Sequence, residues 1–320
     1  MGYITNTINS ATPGAALWAA LDAELIALGF TLEDTVVIGA RTHKVYKSAA
    51  AGNTRGVDWW LDFSYTTTGA GSIMMAPFES YTPASDLGIR GPYSGNDVGF
   101  EAVNYSRFGA TGSALETNWA NTTSHTGLQM ALVASTAFIY RINASRDRVA
   151  VMLSNAPTQL LYCGFYTPTA SALAYQGASC IPLITSRLTS GGNSASATSA
   201  GSVTAAVTRL PKYPDITSTY IPAGSGWGTS CFVYYNSGMM YGRAGDLLHQ
   251  ASGEVSWTPY MVGLGNNSTG IGLGLVGYLD GILTGYTSAA ASVGDVVAYG
   301  GDNYVIGAPS SQIAIAMKAA

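Results

Sequence analysis

Charge is what this chain has least of. Of its 320 residues, 14 are Lys or Arg and 18 are Asp or Glu, so 10% are charged where a soluble domain ordinarily carries about 25%. The net charge of −4 leaves no basic footprint for nucleic acid and no polybasic stripe for a membrane surface. The two densest basic stretches run from Arg41 to Lys44 with Lys47, and from Arg141 to Arg148. Both are short, the second broken by Asn143, Ser145 and Asp147, and both read as solvated strand ends.

Long apolar runs are missing as well. The hydrophobic fraction is 47%, yet every stretch meets Gly, Ser or Thr within about ten residues, too few to cross a bilayer as a helix. The start Met1-Gly-Tyr-Ile-Thr-Asn6 has neither the basic head nor the apolar run of a secretory signal, and Asn6 stands where a myristoylation motif requires Ser or Thr. Cysteine is scarce: Cys163, Cys180 and Cys231 are an odd number without Cys-x-x-Cys spacing, each beside apolar or aromatic neighbours. They read as buried hydrophobes in a reducing cytoplasm rather than as disulfides or metal ligands.

Histidine supports no metal site either. His43, His125 and His249 stand far apart, with no second histidine one helical turn away. No Gly-x-Ser-x-Gly elbow supports a serine nucleophile. Asp58, Asp62, Glu79, Glu101 and Glu116 are carboxylates of the kind that glycoside hydrolysis pairs, but no motif selects among them. Gly272, Gly274 and Gly277 satisfy the dinucleotide-loop spacing among 39 glycines. The flanking residues read as strand and turn, so a glycine-rich segment packed close to another backbone is the better account. The expectation is a chain without catalytic residues, metal or cofactor.

What is abundant is small and polar, or aromatic. With so few ions, the surface must consist largely of Gly, Ser, Thr, Ala and Tyr, which a neighbour can cover at low desolvation cost. One helix is well marked: Thr12 suits the N-cap, Pro13 the first turn and Gly29 the left-handed C′ position. Between them Leu17, Trp18, Leu21, Leu25 and Leu28 form an apolar stripe.

Beyond Phe30 the period changes to two. Strands are expected at 35–38, 43–47, 58–65, 73–78, 127–142, 148–153 and 159–165, with a hairpin turn at 144–147. Later strands are expected at 231–235, 276–283, 296–299, 304–306 and 313–317, with a turn tip at 301–303. The fold expected is mainly β, a β-sandwich or jelly-roll-like arrangement with one N-terminal amphipathic helix. The domains expected are 1–188, a Ser/Gly/Ala-rich loop or linker at 189–212, and a C-terminal β domain or continuation of the same fold at 213–320. Trp18, Leu21, Leu25, Trp59, Trp60, Trp227 and Tyr234 are the residues expected at an interface. Trp59-Trp60, Trp227 and Tyr234-Tyr235 would also suit sugar stacking.

The order of several motifs carries a resemblance. The helix leads to His43-Lys-Val-Tyr-Lys-Ser48, Gly56-Val-Asp-Trp-Trp-Leu-Asp-Phe63, Pro77-Phe-Glu-Ser-Tyr81 and the stretch from Asp86 to Pro92. Near the other end stand Gly277-Tyr-Leu-Asp-Gly-Ile282, Gly294-Asp-Val-Val297 and Gly300-Gly-Asp-Asn-Tyr-Val-Ile306. Over residues 13–95 and 275–318 this resembles virion structural proteins of tailed bacteriophages. The resemblance implies a non-enzymatic virion component, assembled in the host cytoplasm, in the tail, tail tip or baseplate. A capsid cement or decoration protein is the nearest alternative, and a receptor- or glycan-binding module of a tail fibre is the alternative of another class. The partners implied are copies of itself and other virion proteins, with a host-surface glycan for the last reading and neither nucleic acid nor membrane.

Overall fold

The computed structural model describes residues 2–38, 41–67, 72–78, 80–82, 89–91, 128–132, 134–154, 159–168, 183–189, 204–207, 221–222, 231–235, 257–266, 272–286, 292–309 and 313–319. The chain begins with β1 (Gly2–Ile8) and α1 (Pro13–Ala27), followed by β2 (Thr31–Ile38), β3 (Arg41–Ser48), β4 (Trp59–Thr66) and β5 (Ser72–Phe78). The short β6 (Ser80–Thr82), β7 (Ile89–Gly91) and β8 (Leu128–Ala131) come next. Then follow β9 (Phe138–Ser145), β10 (Arg148–Leu153), β11 (Gln159–Phe165), β12 (Thr167–Pro168), β13 (Leu183–Thr189), β14 (Thr204–Val207) and β15 (Ile221–Pro222). The last are β16 (Cys231–Tyr235), β17 (Trp257–Asn266), β18 (Gly272–Tyr286), β19 (Val296–Tyr299), β20 (Asp302–Pro309) and β21 (Ile313–Lys318). The fold is mainly β with one N-terminal helix.

A central sheet runs β1-β9-β10-β11-β13-β14-β15. A helix-side sheet runs β2-β3-β4-β5-β8, and a C-terminal sheet runs β16-β17-β18-β21-β20-β19, with β12 pairing β18. All six residues of β10 are buried, because both faces of the central sheet are covered. Val149, Val151 and Leu153 join Ile142, Leu161 and Cys163 in one core with Leu17, Leu21 and Leu25 of the helix and Trp59, Leu61 and Phe63 of β4. Arg148, Ala150 and Met152 point the other way. There the Met152 side chain lies against Gly307 of β20, and Arg148 reaches Asp280 of β18.

The helix stops where the residues require. Leu28 is the C-cap and Gly29 takes φ +88°, a left-handed conformation that costs glycine little. Thr12 holds the N-cap without a side-chain capping bond; Ser10 Oγ instead accepts the Thr12 N–H at 3.0 Å. The expected hairpin forms, with Ser145 paired to Arg148 across Arg146 and Asp147.

Several expectations are corrected. The segment 127–142 is two strands in different sheets, β8 and β9, because the chain turns between Leu132 and Phe138. The turn tip of the β19–β20 hairpin is Gly300-Gly301, at φ +61° and +89°, ahead of the expected 301–303. Within the stretch 189–212, expected as a loop or linker, Thr204–Val207 is a strand, β14, which pairs with β13 in the central sheet. Arg141 and Arg148 are not solvated strand ends: they are 6% and 0% exposed, on the covered face of the central sheet.

The dinucleotide pattern lies on a strand. Gly272, Gly274 and Gly277 all belong to β18, which continues as strand to Tyr286. A Cβ on Gly277 would collide with the Thr167 carbonyl and the Tyr166 ring, the close approach expected of it.

Arg146, at the hairpin tip, bridges the core to the helix terminus. Its Nη1 donates to Leu28 O at 3.5 Å, its Nη2 to Ala49 O at 3.2 Å and its Nε to Ser48 Oγ at 3.3 Å. A cation beside carbonyls at the end of a helix is favoured by the macrodipole, and the planar fork reaches several at once. Replacing Arg146 with Lys keeps the charge and loses the fork. The expected cost is about 1–3 kcal/mol of unfolding free energy, read from urea denaturation.

Candidate functional site

The residues expected at an interface have different fates. Leu21, Leu25 and Trp59 are 0% exposed, which corrects their assignment to a surface. The helix stripe packs on its own chain, where Leu17, Leu21 and Leu25 join the core built by the helix-side and central sheets. Trp59 is edge-on to Phe30 at 5.8 Å, and its Nε1 donates to Arg146 O at 2.9 Å.

Trp18 and Trp60 remain half-buried. Trp18 stacks on Tyr65 at 5.8 Å, carries the Lys44 ammonium 4.4 Å from its ring, and donates from Nε1 to Tyr46 Oη at 2.7 Å. Tyr46 donates in turn to Asp22 Oδ1 at 2.6 Å; burial, then that carboxylate, drive its hydroxyl pKa far above the ordinary phenol value. Trp60 has the Lys47 ammonium 5.0 Å from its ring. Tyr234 lies on β16 opposite Gly263. Trp227 lies outside the described residues, as do Glu79, Glu101, Glu116, His125, His249 and Cys180.

One arrangement with the makings of chemistry does form. His43 on β3 stands opposite Ser64 on β4, and Asp62 lies two residues from Ser64 on the same face. His43 Nδ1 is 3.1 Å from Asp62 Oδ2 and 3.3 Å from Oδ1. A triad orients its imidazole through such a contact. A hydrolytic site must also admit a substrate, and these side chains are 1% and 0% exposed, with Ser64 at 0%. The pair is a buried polar link between strands. The other described carboxylate candidate, Asp58, is tied to Lys47 at 2.7 Å and to the Ala50 N–H at 2.7 Å. Among the described residues no group of three His, Cys, Asp or Glu could hold a metal ion.

The exposed apolar side chains concentrate elsewhere. Val37 is 65% and Leu32 41% exposed on β2; Val296 is 64% and Tyr299 36% exposed on β19, with Val293 at 44% beside it. Both strands are sheet edges, where unpaired N–H and C=O groups invite another strand. β2 is protected by Glu33, Asp34 and a bulge between Leu32 and Asp34. β19, Val-Val-Ala-Tyr, has no charge. The acids flanking it are each held by a neighbour: Asp295 Oδ2 accepts the Ser292 N–H at 2.7 Å, and Asp302 Oδ2 binds Lys318 Nζ at 2.6 Å.

No family model and no curated protein matches the chain. The candidate site is therefore defined by its geometry, an uncharged apolar edge on the C-terminal sheet. Sequence reading located the strand at 296–299 without singling it out. Its edge position follows from the sheet order, for which no local signal exists.

Two measurements check this division between core and surface. Leu21→Ala should lower the unfolding free energy by about 2–5 kcal/mol, and Ile26→Ala, on the exposed side of the helix, should stay within about 0.5 kcal/mol. Acid titration of stability tests the Lys47–Asp58 pair. The Lys47 ammonium, and then the Ala50 N–H, hold the Asp58 carboxyl below its ordinary value. Its contribution is present above the unfolded carboxylate pKa of about 3.9 and disappears as pH falls through the lower folded value. With Asp58 39% exposed, Asp58→Asn should remove less than about 1 kcal/mol at neutral pH and flatten that part of the acid profile.

Proposed function

We propose that this chain is a non-enzymatic structural component of a tailed-phage virion. It belongs to the tail, tail tip or baseplate and acts by self-association and by docking on neighbouring virion proteins. The observation that carries the reading is β19, an edge strand with exposed Val296 and Tyr299 and no charge on its four residues. A strand of this kind pairs with another chain through main-chain hydrogen bonds, and its side chains add apolar contact.

The sparse charge of the whole chain supports the same reading, since little hydration is lost when such a surface is covered. The motif order from the helix to Phe63 and from Gly277 to Ile306 resembles virion proteins and supports the phage setting. A four-residue edge is small beside the roughly 1,200–2,000 Å² of a stable interface. It therefore works in a symmetric assembly, where many weak contacts act together.

Sedimentation velocity over a concentration series tests the proposal. The wild-type chain should associate into one defined oligomer. Val296→Lys, which places a charge on the edge, should shift the population to monomer at least tenfold, a change of about 1.4 kcal/mol, while leaving the circular dichroism unchanged. A wild-type chain that stays monomeric throughout, or a Val296→Lys variant that associates as before, overturns the reading.

A further inference from the structure

The arginines on the covered face of the central sheet are not treated alike. Arg148, 0% exposed, has a carboxylate to answer its charge: Nε is 3.0 Å from Asp280 Oδ2, and Nη1 donates to Asn143 Oδ1 at 2.5 Å, while its Nη2 is buried without a hydrogen-bond partner. Arg141 lies on β9 two residues from Asn143, on the same face, and is 6% exposed. Its Nη1 is buried without a hydrogen-bond partner, and among the described residues no carboxylate pairs with it. The acids nearby in the fold are already engaged: Asp280 with Arg148, Asp302 with Lys318, and Asp295 Oδ2 with the Ser292 N–H.

The guanidinium lies against the Ser292–Asp295 turn. Its Nη2 is 3.7 Å from the point where a Cβ on Gly294 would stand, and Gly294 has φ +96°. The four residues of that turn are exposed. One side of a buried, unanswered cation thus abuts an exposed turn whose central residue has no side chain. A buried charge without a partner is costly, and a buried donor without an acceptor signals a missing water or ion.

We propose that Arg141 and the Ser292–Asp295 turn form a binding site for a small oxyanion, a phosphate or a carboxylate. Water at the turn would leave the charge unanswered; an oxyanion on the Nη2 side of the guanidinium, which faces the turn, answers it with a charge-assisted hydrogen bond. The 6% exposure of Arg141 admits a compact group and excludes a polyanion lying across the surface. Val293 and Val296 lie on and just beyond the same turn, so an anion there would also order the start of the apolar edge strand.

Thermal unfolding in phosphate, acetate and chloride at equal ionic strength tests the site. Wild type should show a saturable rise in midpoint, about 2 °C at a tenfold excess over the dissociation constant, in phosphate or acetate but not in chloride. The better of the two identifies a tetrahedral or a planar ligand. Arg141→Met, which fills the same space without charge, should fold and lose the response. Arg141→Lys, which keeps charge and loses the fork, should bind at least tenfold more weakly. Calorimetric titration of phosphate and acetate into wild type gives a readout independent of any variant. No saturable heat with either anion, or a response that survives in Arg141→Met, overturns the proposal.

Discussion

The rest of the structure depends on the tip of one hairpin. Between Ser145 and Arg148 the chain turns in two residues, and that turn is fastened on every side. Arg146 binds the C-cap carbonyl of the helix and the backbone after β3, and its own carbonyl accepts Ser48 Oγ at 2.7 Å and Trp59 Nε1 at 2.9 Å. Asp147 Oδ1 accepts the Thr54 N–H at 2.7 Å, and Asp147 O accepts the Phe165 N–H at 2.8 Å. Arg148 turns to the other face and reaches the C-terminal sheet. Helix, helix-side sheet, central sheet and C-terminal sheet therefore meet within three residues. The apolar core supplies the larger stabilisation, but it is non-directional; the hairpin's hydrogen bonds fix how the layers lie on it.

A chain with so few charges places several of them inside. Arg146, Arg148 and Asp62 lie at junctions between strands or layers, where each is matched by a named partner, and Asp302 is held by Lys318 across neighbouring strands. This distribution links composition to the proposed role: charges that would keep a surface hydrated instead fix the layers in register, and an edge such as β19 remains uncharged. Arg141 is the exception among the buried arginines, which is why its unanswered guanidinium points to a ligand.

The buried His43–Asp62 pair shows how far geometry alone goes toward chemistry. Adjacent strands bring an imidazole and a carboxylate to 3.1 Å, as an orienting contact in a catalytic site would. Burial then assigns it to the fabric of the helix-side sheet, because reaction requires access as well as alignment.

Local signals in the sequence determined the elements that local physics controls. Pro13, the leucine stripe and Gly29 mark the helix, since capping and a 3.6-residue period act within a few turns. The alternation of Trp59, Leu61, Phe63 and Tyr65 marks a strand and its buried face. The glycines of β18 already read as a loop or strand packed close to another backbone. Tertiary structure decided the rest. β1 and β17 were not anticipated, because Gly2–Ile8 is stabilised by pairing with β9 and Trp257–Asn266 by pairing with β16 and β18. Which strands become edges, whether Leu21 faces its own core or a neighbour, and whether Arg141 is solvated or enclosed all depend on partners distant along the chain. Burial, pairing and charge compensation are properties of two or more segments together, and a single segment carries no record of its partner.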